Sequence, residues 1–169
     1  MKRILGVDPG SQRTGWGIVE STGSRSNYVA SGVIDLRKID GLANKLGHLS
    51  TAIDQVLGEY KPSAVTVESV FHGKNAKSAL ILGQARGAVL ATLGRASLDY
   101  IELSPAEIKL SVAGHGRADK KQVAQMVERL LKIKLKGPAD EFDALAIAIA
   151  GGVVVATSTR EWMTKHGLG

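Results

Sequence analysis

Lys2-Arg3-Ile4-Leu5-Gly6-Val7-Asp8-Pro9-Gly10, then Gly15-Trp16-Gly17-Ile18-Val19-Glu20, is the stretch on which the fold turns. The first segment is apolar without a break from Ile4 to Val7, so it reads as a buried strand. Proline has no amide hydrogen for a sheet and glycine takes turn geometry, so Pro9-Gly10 ends that strand at Asp8. Residues 15–20 read as a second strand, and the short connection predicts a hairpin. Residues 27–36 read as a third, with Tyr28, Ala30, Gly32 and Ile34 on its more apolar face.

Working outward, the period then changes. Leu42, Leu46, Leu49, Ile53, Val56 and Leu57 recur at helical spacing until Pro62 closes the segment. Ala64–Glu68 is a short β-branched strand, residues 76–93 a well-buried helix, and residues 98–103 a fifth strand. Ser104-Pro105-Ala106-Glu107 has the form of a helix-starting capping box. Gly114-His115-Gly116 breaks the chain before a basic amphipathic helix over residues 119–132, with Val123, Met126, Val127, Leu130 and Leu131 facing inward. A last helix starts near Pro138-Ala139-Asp140. Three hairpin-connected strands followed by strand–helix alternation imply one α/β domain with a mixed sheet and helices on both faces. The first and fourth strands are expected side by side at its centre. Residues 1–157 form that domain and residues 158–169 a polar tail.

Composition narrows the class. The chain has 169 residues and no cysteine, so disulfides and thiolate metal sites are excluded. Its longest apolar run, residues 144–156, is interrupted by two glycines and is too short to span a bilayer. A soluble, cytoplasmic protein is the expectation. The net charge of +6 is concentrated: residues 109–136 hold eight basic side chains (Lys109, Arg117, Lys120, Lys121, Arg129, Lys132, Lys134, Lys136) against Asp119 and Glu128. Such a stripe suits a polyanion partner, although a solvated helix face would look the same.

Asp8 and Glu68 end the first and fourth strands. If those strands are parallel neighbours, both carboxylates emerge at the sheet edge where open α/β sheets bind ligands. Two acids that close repel unless a cation lies between them, and oxygen ligands of this type suit Mg²⁺ or Mn²⁺. Asp140 and Asp143 stand three apart near a helix start and share a face. Acidic residues there also complement the helix dipole, an account that covers Asp140 and Glu141 better than Asp143. Four carboxylates from three distant segments point to a metal cluster. Two divalent ions about 3.5–4 Å apart are the usual device for phosphodiester hydrolysis.

Asp8-Pro9-Gly10, Thr14-Gly15-Trp16-Gly17 and Val67-Glu68-Ser69-Val70-Phe71 resemble the RuvC family of Holliday-junction resolvases. So do the run from Lys74-Asn75-Ala76 through Leu82-Gly83-Gln84-Ala85-Arg86-Gly87 and the segment Ala139-Asp140 with Asp143-Ala144-Leu145-Ala146-Ile147-Ala148. The resemblance implies an RNase H-like five-stranded mixed sheet and a homodimer that nicks two strands of four-way junction DNA symmetrically. It also implies 5′-phosphate and 3′-hydroxyl products, two Mg²⁺ per site with Mn²⁺ as a substitute, and a place beside branch-migration machinery in recombination and repair. On this likeness the metal ligands are Asp8, Glu68, Asp140 and Asp143, and the site lysines are Lys109 and Lys120. Phe71 matches an aromatic that stacks on a splayed base. Lys74, Arg86, Arg117 and Lys121 are further DNA-contact candidates. Ser69 stands where relatives usually carry Gln, and His72-Gly73 also departs from the pattern, which bears on base contacts rather than on the metal cluster. His115 is a loop residue that could touch DNA or do nothing, and Trp16 reads as packing. An actin-like phosphotransferase would need a second domain for which there is no room. A hybrid-cutting nuclease and a non-catalytic junction binder remain the other readings.

Overall fold

A computed structural model describes residues 1–69 and 76–157. Strands β1 (Lys2–Asp8), β2 (Arg13–Ser21), β3 (Ser26–Asp35), β4 (Ala64–Glu68) and β5 (Tyr100–Leu103) form one sheet in the order β3-β2-β1-β4-β5. β1, β2 and β3 pair antiparallel, whereas β4 runs parallel to β1 and β5 parallel to β4. The expected mixed α/β sheet, with its first and fourth strands adjacent at the centre, is therefore present. Helices α1 (Leu42–Tyr60) and α2 (Ala76–Arg95) cover one face; α3 (Pro105–Ala113), α4 (Lys120–Leu131) and α5 (Ala139–Thr157) cover the other. Strand alternation feeds both layers: Leu5 and Val7 pack toward α1–α2, while Ile4 packs toward α3–α5.

The seating of α5 places the site. Gly6, Gly15 and Gly17 lie beneath it on β1 and β2. A Cβ at Gly6 would overlap the Ala144 carbonyl and the Ala148 backbone, one at Gly15 the Asp140 carbonyl, and one at Gly17 the Leu145 side chain. Small residues on both surfaces let backbone approach backbone, closer than a layer of full side chains permits. The first turn of α5 is thus held over the site end of β1 and β2.

Three details depart from the sequence reading. In β3 a register slip opposite Ile18 and Val19 leaves Val29 as a bulge. The extra residue reverses the facing pattern, so Val29 packs toward α1–α2 while Tyr28 is exposed and hydrogen-bonds Ser31. In α2 the buried residues are Ala85, Val89, Thr92 and Leu93, and Leu80 is 65% exposed, so the helix packs by a stripe rather than all round. In α4, Val123, Val127 and Leu131 are buried but Leu130 is exposed. Trp16 packs as expected, its ring lying over Gly32 and near Tyr60. No helix among the described residues is long and apolar enough to cross a membrane.

Candidate active site

The parallel pairing of β1 with β4 puts Val7 beside Val67. The next residues, Asp8 and Glu68, therefore leave the sheet together at its carboxyl edge. Both line a pocket of about 230 Å³ with Asp143 from α5, Lys109 from α3 and Lys120 from α4; Pro105, Ile108, Val123, Ala146 and Ile147 complete its walls. These walls come from the α3–α4–α5 layer.

Two capping boxes fix the lysines. Ser104 and Glu107 exchange hydrogen bonds at the start of α3, and Asp119 and Gln122 do the same at the start of α4. Between them Gly114 closes α3 at φ 81°, a left-handed conformation that costs glycine no steric penalty. The chain therefore reverses sharply, bringing Lys109 and Lys120 to one pocket. Lys120 is the first helical residue of α4, and its Nζ lies 3.4 Å from Asp143 Oδ2.

The electrostatics are those of too many acids in too little water. Burial, then the charges of Glu68, Asp143 and Asp140, push the Asp8 carboxyl up to about 7. Burial and the charge of Asp143 also raise Glu68, against the lowering pull of the Asp8 hydrogen bond, Lys120 and Lys109. Lys120 is raised in turn, chiefly by the charge of Asp143.

Asp140 has a different partner. Its Oδ2 lies 3.6 Å from an Arg13 guanidinium nitrogen, and it does not line the pocket. Among the described residues no three acidic, histidine or cysteine side chains are gathered tightly enough to form a ready-made metal site. Each carboxylate has a nearer partner: Asp8 and Glu68 share a hydrogen bond, Asp143 faces Lys120 and Asp140 faces Arg13. The donor chemistry nevertheless fits a hard divalent cation. Three carboxylates converge on one pocket, and their mutual repulsion is what such an ion would relieve. Glu141, the neighbouring acid, turns away to accept a 2.8 Å hydrogen bond from Ser31.

The remaining candidates divide by position. Arg117 and Lys121 are exposed beside the pocket-lining lysines, and His115 is exposed in the same turn. Arg86 is not with them. It lies toward α1–α2, where its guanidinium pairs with Glu102 and sits 6.0 Å from the Tyr100 ring centroid. Phe71, His72, Gly73 and Lys74 lie outside the described residues, as do Trp162 and the 158–169 tail. Ser69 is described; its amide donates to Leu103, and its buried hydroxyl has no hydrogen-bond partner among the described residues. Arg13 was not singled out in the sequence. The signal available was its parity with Gly15 and Gly17, which puts all three on the α5 side of β2.

A β3-β2-β1-β4-β5 sheet with carboxylates at the β1/β4 edge defines the RNase H-like class. Within it, the chain belongs to the RuvC family: the family model described as crossover junction endodeoxyribonuclease RuvC matches residues 4–151. A crossover junction endodeoxyribonuclease RuvC from Hyphomonas neptunium is 46% identical over 147 residues, covering 87% of this chain and 88% of that one. T. thermophilus RuvC in complex with Holliday junction substrate superposes with a TM-score of 0.87 at 30% identity, covering 92% of this chain and 96% of that one. The yeast mitochondrial Holliday junction resolvase shares the fold at 15% identity and a TM-score of 0.66, covering 98% of this chain and 84% of that one.

Proposed function

We propose that this chain resolves four-way DNA junctions by metal-dependent phosphodiester hydrolysis, with Asp8, Glu68, Asp140 and Asp143 as cation ligands. The observation that carries the reading is the single pocket shared by Asp8, Glu68, Asp143, Lys109 and Lys120. It sits in a chain that matches T. thermophilus RuvC, solved with a Holliday junction, over nearly its whole length.

The pocket's residues divide the work. Divalent ions held by the carboxylates, Mg²⁺ or Mn²⁺ and two per site, would make water nucleophilic at neutral pH and neutralise the departing oxygen. Lys109 and Lys120 reach the phosphate and offset charge gathering on its oxygens, at a rim where apolar walls weaken screening by water. The water oxygen forms a bond to phosphorus as the bond to the 3′ oxygen breaks. The electron pair leaves on that oxygen, which takes a proton, so the ends are a 5′-phosphate and a 3′-hydroxyl. Arg117 and Lys121 extend the basic surface toward the DNA arms. Phe71 and Lys74 would contact bases and backbone beside the cut. Two copies acting as a homodimer would nick opposing strands symmetrically, in the cytoplasm and alongside branch-migration machinery.

The test is cleavage of a four-way junction, a linear duplex and an RNA–DNA hybrid, each with Mg²⁺ and with chelator. Paired, Mg²⁺-dependent nicks confined to the junction are expected. Preferential cutting of the hybrid would replace the junction reading, and cutting under chelation would remove the metal.

A further inference from the structure

Arg13 is a charged side chain at the site edge that the chemistry above does not use. It opens β2 on the same face as Gly15 and Gly17, and so lies under the first turn of α5, whose Asp140 carbonyl rests against Gly15. The 3.6 Å approach of its guanidinium to Asp140 Oδ2 is an ion pair rather than a hydrogen bond. A competing carboxylate is near, because Asp35 is the residue opposite Arg13 on β3. Arg37 occupies it, donating from Nε to both Asp35 oxygens at 2.9 and 3.1 Å. Arg13 keeps an electrostatic pull on Asp35, and Arg37 feels the charge of Asp140, but the ion pair with Asp140 is made by Arg13. The two site acids on α5 are divided by their partners: Asp143, beside Lys120, lines the pocket, and Asp140, beside Arg13, does not.

We propose that Arg13 is a positioning residue that competes with the divalent cation for Asp140: its guanidinium draws this carboxylate out of the pocket, and a cation that takes Asp140 displaces it. The proposal rests on the reading of Asp140 as a cation ligand. A guanidinium keeps its charge at every working pH, so the competition sets the cation concentration at which the site fills. The pair is partly exposed and therefore weak, which makes it exchangeable.

The test is calorimetric titration of Mn²⁺ into chelator-stripped protein without DNA, for wild type, Arg13→Gln, Arg13→Lys, Asp140→Asn and the Arg13→Gln/Asp140→Asn double variant. Circular-dichroism melts confirm that each is folded. Arg13→Gln is expected to bind Mn²⁺ about threefold to fivefold more tightly, the scale of a half-exposed ion pair. Arg13→Lys, which keeps the charge, is expected to return to wild-type affinity. In the Asp140→Asn background Arg13→Gln is expected to change nothing. Wild-type-like affinity in Arg13→Gln, a Lys variant as tight as the Gln variant, or a Gln effect that survives Asp140→Asn would each overturn the proposal. Failure of wild type itself to bind Mn²⁺ would instead remove the metal reading and this proposal with it.

Discussion

The two faces of the sheet are packed by different rules. Toward α1–α2 the layers meet through large side chains: Leu5, Val7, Ile18 and Ile34 from the strands against Leu49, Ile53, Val89 and Leu93 from the helices. Toward α5 the meeting is backbone to backbone, Gly6 and Gly15 against Ala144, Ala148 and the Asp140 carbonyl. Side-chain packing tolerates a lost methyl group by partial collapse, whereas backbone contact tolerates no gain at all. The tight face is also the one that carries the pocket. Close packing fixes where α5 begins relative to the ends of β1 and β4, and so where Asp143 stands relative to Asp8 and Glu68.

The comparison breaks first at the carboxylates. Glu68→Gln and Asp143→Asn are each expected to lower single-turnover junction cleavage by on the order of 10²–10³-fold, as removal of a charge-handling group does. Gel-shift affinity for the junction should persist. Asp54→Asn, an acid on α1 paired with Arg95, is expected to leave cleavage unchanged. Near-normal cutting by either site variant would detach the chemistry from the pocket.

The packing rule itself is tested by a pair of substitutions of opposite sign. Leu49→Ala should destabilise the protein by about 2–5 kcal/mol in urea melts, with cleavage per folded molecule intact. Gly15→Ala should cost about 1–3 kcal/mol or more, because the new methyl meets the Asp140 carbonyl, and should also slow cleavage by moving α5. Equal activity per folded molecule in the two variants would mean that the tight face does not set the site.

Most of this was legible in the sequence where it depended on neighbours along the chain. Pro9-Gly10 stopping β1 at Asp8, the Ser104–Glu107 cap and the order of elements are local facts. What was not legible depended on which surfaces meet. The Val29 bulge shows only in the pairing of β3 with β2, and it moved Tyr28 to the exposed side. Arg13 could be paired with Asp140 only once α5 was known to lie over β2, a contact between segments more than a hundred residues apart. Arg86 is a further case: its place in a family-like run suggested DNA, and only the fold shows that it also pairs with Glu102 and lies near the Tyr100 ring. Of the four carboxylates, the strand-end pair followed from topology. The α5 pair kept a dipole explanation until the pocket separated Asp143 from Asp140.

The crowding of acids gives the next, smaller effect. The Asp8 carboxyl is raised from 3.8 to about 7 in the fold, so between those values the folded state holds a proton that the unfolded state has lost. Stability must then fall as pH rises across that window, and the loss is complete above about 7. In chelator, Asp8→Asn is expected to stabilise the protein by on the order of 1–3 kcal/mol at pH 8 and by much less at pH 4, read from thermal melts. No comparable gain is expected from Asp54→Asn, whose partner Arg95 it would lose. A pH-independent effect of Asp8→Asn would place its origin in packing rather than charge.

Lys120 gives the smallest effect and the most selective one. Its side chain is 83% exposed, so its ion pair with Asp143 contributes about 0–1 kcal/mol to stability, and Lys120→Ala should melt like wild type. Its charge adds little to stability and acts most strongly when a phosphate arrives. Each phosphate contact releases about one counterion, so the log–log dependence of junction binding on salt should flatten by about 1 in Lys120→Ala, with slower cleavage beside it. Lys45→Ala, a half-buried lysine on α1, should leave that slope unchanged. If both lysines shift the slope equally, DNA does not distinguish the two faces, and the contrast in packing would have no counterpart in binding.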